Sequence, residues 1–295
     1  MNKYLIFRTD RIGDFLLSLI LIQSIKKLDK NSHITVVASE KNYEFIKSFS
    51  TIDEVLLYKR GIFEKFYLFS FLRKFNFDNI IVHDAKRRSK LISLFLKCNK
   101  KYISGDIKFS YYIDEIIYIL KFYNLKFNEN LLNTLENRNY SKFAVPNKPY
   151  IIIHFDEKWI YNKYIKSYKN IEPNLNQLDI FFNLLLSKIN KKIYITTGVN
   201  TPYILTKYFN NKYNSNITLL ENLNFLQLEA CINNTSLLIS CHGAISHIAA
   251  AKNIDQIDIV DESYNYTKWT KHFRKYRSIK RNNFDILCKE IIKLF

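Results

Sequence analysis

The sequence predicts an α/β protein made of two Rossmann-like halves, each a parallel sheet covered by helices. Three observations carry this. Short apolar runs alternate with longer amphipathic ones at a strand–helix rhythm. The rhythm starts twice, before and after a proline-flanked break at 144–149, and polar turns follow the apolar runs at residues 8–14, 156–158 and 242–243. At 295 residues the chain has the length of two domains.

Residues 3–7 form the first strand, and a small polar turn with one glycine, Arg8 to Asp14, leads into a helix over 15–28. A turn at 30–32 introduces a strand over 33–38, which completes a βαβ start. A short helix at 43–49 and a strand at 54–58 follow. The apolar spacing of 63–75 predicts a helix, 77–84 a buried strand ending on polar residues, and 89–97 a helix entered through Arg87 and Arg88. Residues 101–147 pattern weakly, with helical spacing at 112–123 and a polar stretch at 128–139 that can form another helix. The prolines of 144–149 mark a linker, which gives domains 1–147 and 148–295.

The second series has strands at 150–155, 192–196, 216–220 and 236–240, with 257–260 closing the sheet. Helices are expected at 175–190, 202–209, 224–233, 244–251 and 284–295. The two halves share no detectable sequence repeat.

Composition narrows the function classes. Hydrophobic residues make up 47% of the chain, ample for burial, and no run approaches the roughly 18 apolar residues of a spanning helix. Arg8, Asp10, Arg11 and Asp14 interrupt any signal-peptide core, so a cytoplasmic protein is expected. Cys98, Cys231, Cys241 and Cys288 are scattered without CxxC spacing, which argues for reduced thiols rather than a zinc site or a disulfide framework. The few glycines and many Asn, Lys, Ile and Tyr reflect a biased genome, which also raises the lysine count. The net charge of +18 attracts anions such as nucleic acid, an anionic membrane surface or a charged glycolipid. The cations are spread along the chain with no nucleic-acid-binding signature, so nucleic acid is not the expected partner.

Three turns carry candidate chemistry. In the first, Asp14 lies in the opening turn of a helix, where orphan N–H groups and the positive dipole end hold a carboxylate ionised, as a general base requires. Arg8 and Arg11 are placed to hold an anionic substrate beside it; the alternative is that Asp10 and Arg11 are surface turn residues and Asp14 an ordinary helix-entry acid. GxGxxG is absent, so ordinary dinucleotide binding is not supported. The second turn is His242-Gly243-Ala244 with Ser246 and His247 in the following small-residue helix, a recipe for anion binding by free N–H groups that suits a diphosphate. A core histidine and plain helix packing are the alternatives there, and a Cys241–His242 nucleophilic pair is disfavoured because adjacent strand residues point apart. In the third, Lys158 can meet a phosphate as a point charge and Trp159 can pack on a base or an apolar wall. Asp156 and Glu157 lack a third oxygen ligand at metal-site spacing, so no metal is expected.

Together these stretches resemble glycosyltransferase family 9, the heptosyltransferases of lipopolysaccharide assembly. The turn from Arg8 to Asp14, with the apolar helix through Leu19, resembles the family's opening R-x-x-x-x-G-D signature; 78–84 with Arg88 and Ser89 resembles its mid-domain strand and helix entry. Lys158-Trp159 matches its lysine and tryptophan after the first strand of the second domain, and 237–251 resembles its D-T-G-x-x-H-L-A-A-A block. The resemblance implies a GT-B architecture facing a central cleft, with an N-terminal acceptor domain and a C-terminal nucleotide-sugar domain. It implies inverting, metal-independent transfer without a cofactor, from a nucleotide-diphosphate sugar such as ADP-heptose to an anionic glycolipid or glycan at the cytoplasmic face of the inner membrane. Asp14 corresponds to the base, Arg8 and Arg11 to acceptor contacts, and Lys158, His242, Gly243, Ala244, Ser246 and His247 to donor contacts. One departure stands out. His242-Gly243-Ala244 replaces the family's Asp-Thr-Gly when His247 is aligned with the family histidine, and the acid that meets the donor sugar is missing.

Overall fold

Why each strand forms is plain from its burial: Tyr4-Leu5-Ile6-Phe7 in β1 (Lys3–Arg8) is wholly buried in the computed structural model, because helices cover both faces of its parallel sheet. The structure describes all residues except 134, 136, 137, 139, 141, 142, 144–149 and 213, together with the side chain of residue 133. The expected linker at 144–149 lies outside the described residues. Two compact units emerge, one of Met1–Arg138 with Thr267–His272, the other of Asn139–Tyr266 with Phe273–Phe295.

The first unit contains β1, α1 (Ile12–Leu28), β2 (His33–Ser39), α2 (Tyr43–Lys47), β3 (Glu54–Tyr58), α3 (Ile62–Leu72), β4 (Asn79–Val82), α4 (Arg87–Leu94), β5 (Lys100–Ile103) and α5 (Tyr112–Phe122). A 3-10 turn at Glu129–Asn133 occupies part of the polar stretch. The sheet order is β3-β2-β1-β4-β5, all parallel. α1 is apolar around most of its circumference because it is buried all round. Its Phe15 packs on Phe45 and Phe49 at 6.0 and 5.3 Å, and the Arg138 guanidinium lies 4.2 Å from the Phe49 ring centre.

The second unit contains β6 (Tyr150–His154), α6 (Leu175–Lys188), β7 (Lys192–Thr196), α7 (Tyr203–Asn211), β8 (Ile217–Leu220), α8 (Phe225–Asn234), β9 (Leu237–Cys241), α9 (Ala244–Ala251) and β10 (Asp255–Val260). The short α10 (Thr267–Thr270) belongs to the first unit, where Trp269 meets Tyr112 of α5 at 5.7 Å. β11 (Tyr276–Lys280) and α11 (Phe284–Ile292) return to the second. Its sheet order is β11-β10-β9-β6-β7-β8, again all parallel.

Two strands escape sequence patterning. β5 and β11 are edge strands reading KKYI and YRSIK, half exposed and therefore without an apolar run. The strand expected to close the second sheet, β10, is interior, and β11 closes it. In each sheet the strand order reverses beside the first strand, between β1 and β4 and between β6 and β9, and ligands of open parallel sheets sit at the carboxyl ends beside such reversals. The three polar turns all lie at these two places.

Phe15 is fully buried against Phe45 and Phe49. Phe15→Ala should lower stability by about 3–5 kcal/mol, read as a lower urea midpoint by far-UV circular dichroism. A midpoint unchanged from the parent would show that α1 does not anchor this core.

Candidate functional site

In the first unit the site is assembled by a buried arginine. Arg8 ends β1 and donates from Nε to the backbone oxygen of Asp14 at 2.9 Å and from Nη1 to the backbone oxygen of His83. It thereby ties the turn of α1 to the end of β4. Its charge meets Asp10 at 3.2 Å. Burial, helped by Arg8, holds His83 well below the usual imidazole range, so its Nδ1 contact with Ser18 Oγ at 2.8 Å is made by a neutral ring.

A second buried group, Asp84, clasps the opposite side. It accepts from Thr9 Oγ1, from Ser89 Oγ at 2.7 Å and from the Lys86 N–H at 3.1 Å. Arg88 Nη2 donates to Thr9 Oγ1 at 3.0 Å while its guanidinium stacks 4.8 Å above Tyr58. Between them Ala85 adopts φ +52°, a left-handed backbone that costs a residue with a Cβ about 1–3 kcal/mol and gathers at functional sites.

These elements wall a cavity of about 840 Å³. Its cations are Arg11, Lys41, Arg60, Lys86, Arg87 and Arg88, against the acids Asp10, Asp14 and Glu40. Asp14 lies at the third position of α1, accepts from the Arg11 N–H at 3.3 Å, and lines the cavity. Arg11 lines it too, whereas Arg8 serves the turn behind it.

Sequence reasoning missed Asp10, which reads as a surface turn residue but is half-buried, with a buried Oδ1 lacking a hydrogen-bond partner among the described residues. Burial raises its pKa to about 6; Arg8 opposes the shift, and Asp14 and Asp84 add to it.

In the second unit, Lys158 and Asp156 follow β6 as a buried ion pair. Burial disfavours both charges, but each partner outweighs it, holding Asp156 below and Lys158 above its ordinary range. Asp156 is thereby spent on Lys158, with His154 Nε2 3.7 Å away. Among the described residues no cluster of three potential metal ligands occurs. Trp159 is fully buried, stacked on Phe155 at 4.3 Å with Nε1 donating to the His154 carbonyl, so it forms the apolar wall.

Lys158 lies against the start of α9. A Cβ on Gly243 would come within 2.8 Å of Lys158 Nζ, so glycine lets the ammonium approach this helix N-terminus. Gly243 and Ala244 are partly exposed there, whereas Ser246 and His247 are buried. Ser246 Oγ accepts from the Gly243 N–H at 3.2 Å and donates to Asp258 at 2.8 Å. Asp258, fully buried on β10, also meets His242 Nδ1 at 2.7 Å. A carboxylate thus stands one strand away, behind His242, with its oxygens held by Ser240, His242 and Ser246. Cys241 is buried with its thiol pushed up to about 12, first by burial, which disfavours the nucleophilic thiolate. Arg281, also unforeseen, donates to the backbone oxygens of Lys158 and Lys169 and stacks over Tyr168.

No protein-family model and no curated protein sequence matches the chain. Solved structures do. E. coli heptosyltransferase WaaC with ADP has a TM-score of 0.72 at 12% identity, covering 99% of this chain and 99% of that one. The family 9 glycosyltransferase from Veillonella parvula has a TM-score of 0.70 at 15% identity, covering 99% and 88%. The fold is that of glycosyltransferase family 9. This GT-B fold extends to a more distant likeness, the UDP-GlcNAc 2-epimerase of Methanocaldococcus jannaschii, with a TM-score of 0.54 at 14% identity over 99% and 92% of the chains.

Asp10 gives the first unit a pH dependence of definite sign. Because its folded pKa lies above the unfolded carboxylate value, its contribution is most favourable when protonated and is lost as pH rises from about 4 to about 6. Asp10→Asn should remove that loss, about 1–3 kcal/mol by pH 7. The variant's melting temperature should therefore gain on the parent's as pH rises from 4 to 7, and a difference independent of pH would overturn the assignment.

Proposed function

We propose that this protein is an inverting, metal-independent glycosyltransferase. It moves heptose or a related sugar from a nucleotide-diphosphate donor such as ADP-heptose to an anionic acceptor, a lipopolysaccharide precursor or other surface glycan, at the cytoplasmic face of the inner membrane. The observation that carries this reading is Asp14 on the wall of a cavity lined by six cations. A base standing among positive charges suits deprotonation of a hydroxyl on a phosphorylated acceptor.

Asp14 takes the proton of the acceptor hydroxyl as that oxygen bonds to the anomeric carbon. The bond from that carbon to the diphosphate oxygen breaks, and its electron pair leaves with the nucleotide diphosphate. Attack from the face opposite the leaving group inverts the anomeric centre. Lys158 and the N–H groups of Ala244 and Ile245, in the first turn of α9, meet the charge growing on the diphosphate, the role a metal ion has elsewhere. His242, oriented by Asp258 through Nδ1, accepts from a donor-sugar hydroxyl at its other ring nitrogen, and His247 packs beside it with ring centres 5.5 Å apart. Arg11 contacts the acceptor, and Arg8 holds the turn that presents Asp14. The fold, and neighbours solved with ADP and with ADP-2-deoxy-2-fluoro heptose, support a nucleotide-sugar donor.

A second reading, a non-catalytic protein that binds a glycan or nucleic acid on the same fold, is favoured by two observations. Lys158 is already paired with Asp156, and a histidine occupies the acid position of the donor turn. Absence of nucleotide-diphosphate release with every donor and acceptor, together with salt-sensitive RNA binding, would establish it.

A thermal-shift screen of nucleotide sugars identifies the donor, since a ligand of the folded state raises the melting temperature. With that donor, Asp14→Asn should slow turnover about 10²–10⁴-fold at unchanged melting temperature and donor affinity. Turnover within a few-fold of the parent would remove Asp14 as the base. Lys158→Ala should chiefly raise the donor KM, and unaltered donor kinetics would exclude it.

A further inference from the structure

The helix α3 does not behave as its composition demands. Its sequence, IFEKFYLFSFL, is apolar on every side, a pattern that belongs to an enclosed helix, yet only Leu68 and Leu72 are buried. Ile62, Phe63, Phe66 and Tyr67 are 67%, 86%, 65% and 75% exposed, and their i, i+1, i+4, i+5 spacing sets them in one outward stripe. Across a groove of about 360 Å³, α4 and its end present Leu91, Leu94 and Phe95, also exposed. Contiguous apolar surface of this kind marks an interaction site.

Cations border it. Lys65 and Arg88 line the groove, Lys59 lines the hollow on the other side of α3, and Arg73 lies 5.6 Å from the Phe69 ring centre. Exposed aromatic and aliphatic side chains ringed by lysine and arginine fit the boundary between acyl chains and anionic headgroups. They fit a second copy of this chain poorly, because pairing two such faces would bring cation against cation in a protein of net charge +18.

We propose that the α3–α4 face docks on an anionic lipid bilayer, with Ile62, Phe63, Phe66, Tyr67 and Phe95 entering the headgroup–acyl boundary and the exposed Lys59 and Lys65 facing lipid phosphates. No described helix is long and apolar enough to cross a membrane, so attachment is to one leaflet. The position of the face gives it a purpose. Tyr58 and Arg88 line both the apolar groove and the cationic cavity that holds Asp14. A lipid-borne acceptor would reach that cavity along the wall the two share. This last step rests on the glycosyltransferase reading, whereas bilayer docking does not.

The test is sedimentation of the full chain with phosphatidylcholine vesicles, with and without about a third phosphatidylglycerol, at rising salt. The parent should pellet with the anionic vesicles and not with the neutral ones. A combined Phe63→Ser, Phe66→Ser, Tyr67→Ser variant should bind at least tenfold more weakly at unchanged circular dichroism, because these side chains lie outside the core. Lys65→Glu should weaken binding mainly at low salt. Vesicle binding equal in the parent and the triple variant would overturn the proposal. So would a parent dimer, seen by light scattering, that the triple variant dissolves, or RNA binding lost in the triple variant in place of lipid binding. Nucleotide-diphosphate release from a water-soluble acceptor should be unchanged in the triple variant, so failure of docking and failure of the sugar-transfer reading are read separately.

Discussion

Both sheets are parallel throughout, and that constraint arranges everything else. Every strand delivers its carboxyl end to the same edge, and there the backbone must turn from sheet to helix in a space no helix covers. Where the winding reverses, beside β1 and beside β6, neighbouring connections depart to opposite faces and leave a gap. The chain has filled both gaps with charge: Arg8, Asp10 and Asp14 with Asp84 in one, Asp156 and Lys158 with His242 and Asp258 in the other.

Charges so close to a core need partners, and the two gaps solve this alike. Arg8 spends its donors on the carbonyl oxygens of Asp14 and His83, Asp84 gathers a threonine, a serine and two backbone N–H groups, and Asp258 holds three polar side chains. The supporting groups are the more deeply buried, and the groups left at the cavity wall, Asp14, Arg11 and Arg88, are those they position. A rigid buried frame behind partly exposed chemistry is what a preorganised site needs.

This division explains what could be read from the sequence. Interior strands such as Tyr-Leu-Ile-Phe announce themselves because both faces are covered, while β5 and β11, half exposed at sheet edges, look like charged loops. Likewise Asp14 and Lys158 could be picked out as candidates because each lies a few residues past the end of a strand that the sequence makes plain. Asp258 was not, because it reaches His242 through strand pairing and not through sequence neighbourhood. Asp10 was visible as a carboxylate in the turn, but its raised pKa depends on its partial burial and on the charges of Arg8, Asp14 and Asp84, the last brought near from the end of β4.

The return of Thr267–His272 to the first unit has a consequence for how such a protein can evolve or be engineered. The chain passes between the units after residues 138, 266 and 272, so neither half is a single uninterrupted stretch. A graft that exchanged the second half at one splice point would carry Trp269 and Lys268 away from Tyr112 and deliver them to a foreign α5. Recombination that respects the structure needs a second splice flanking α10. Such a chain therefore diversifies more readily by substitution within each half than by shuffling whole halves.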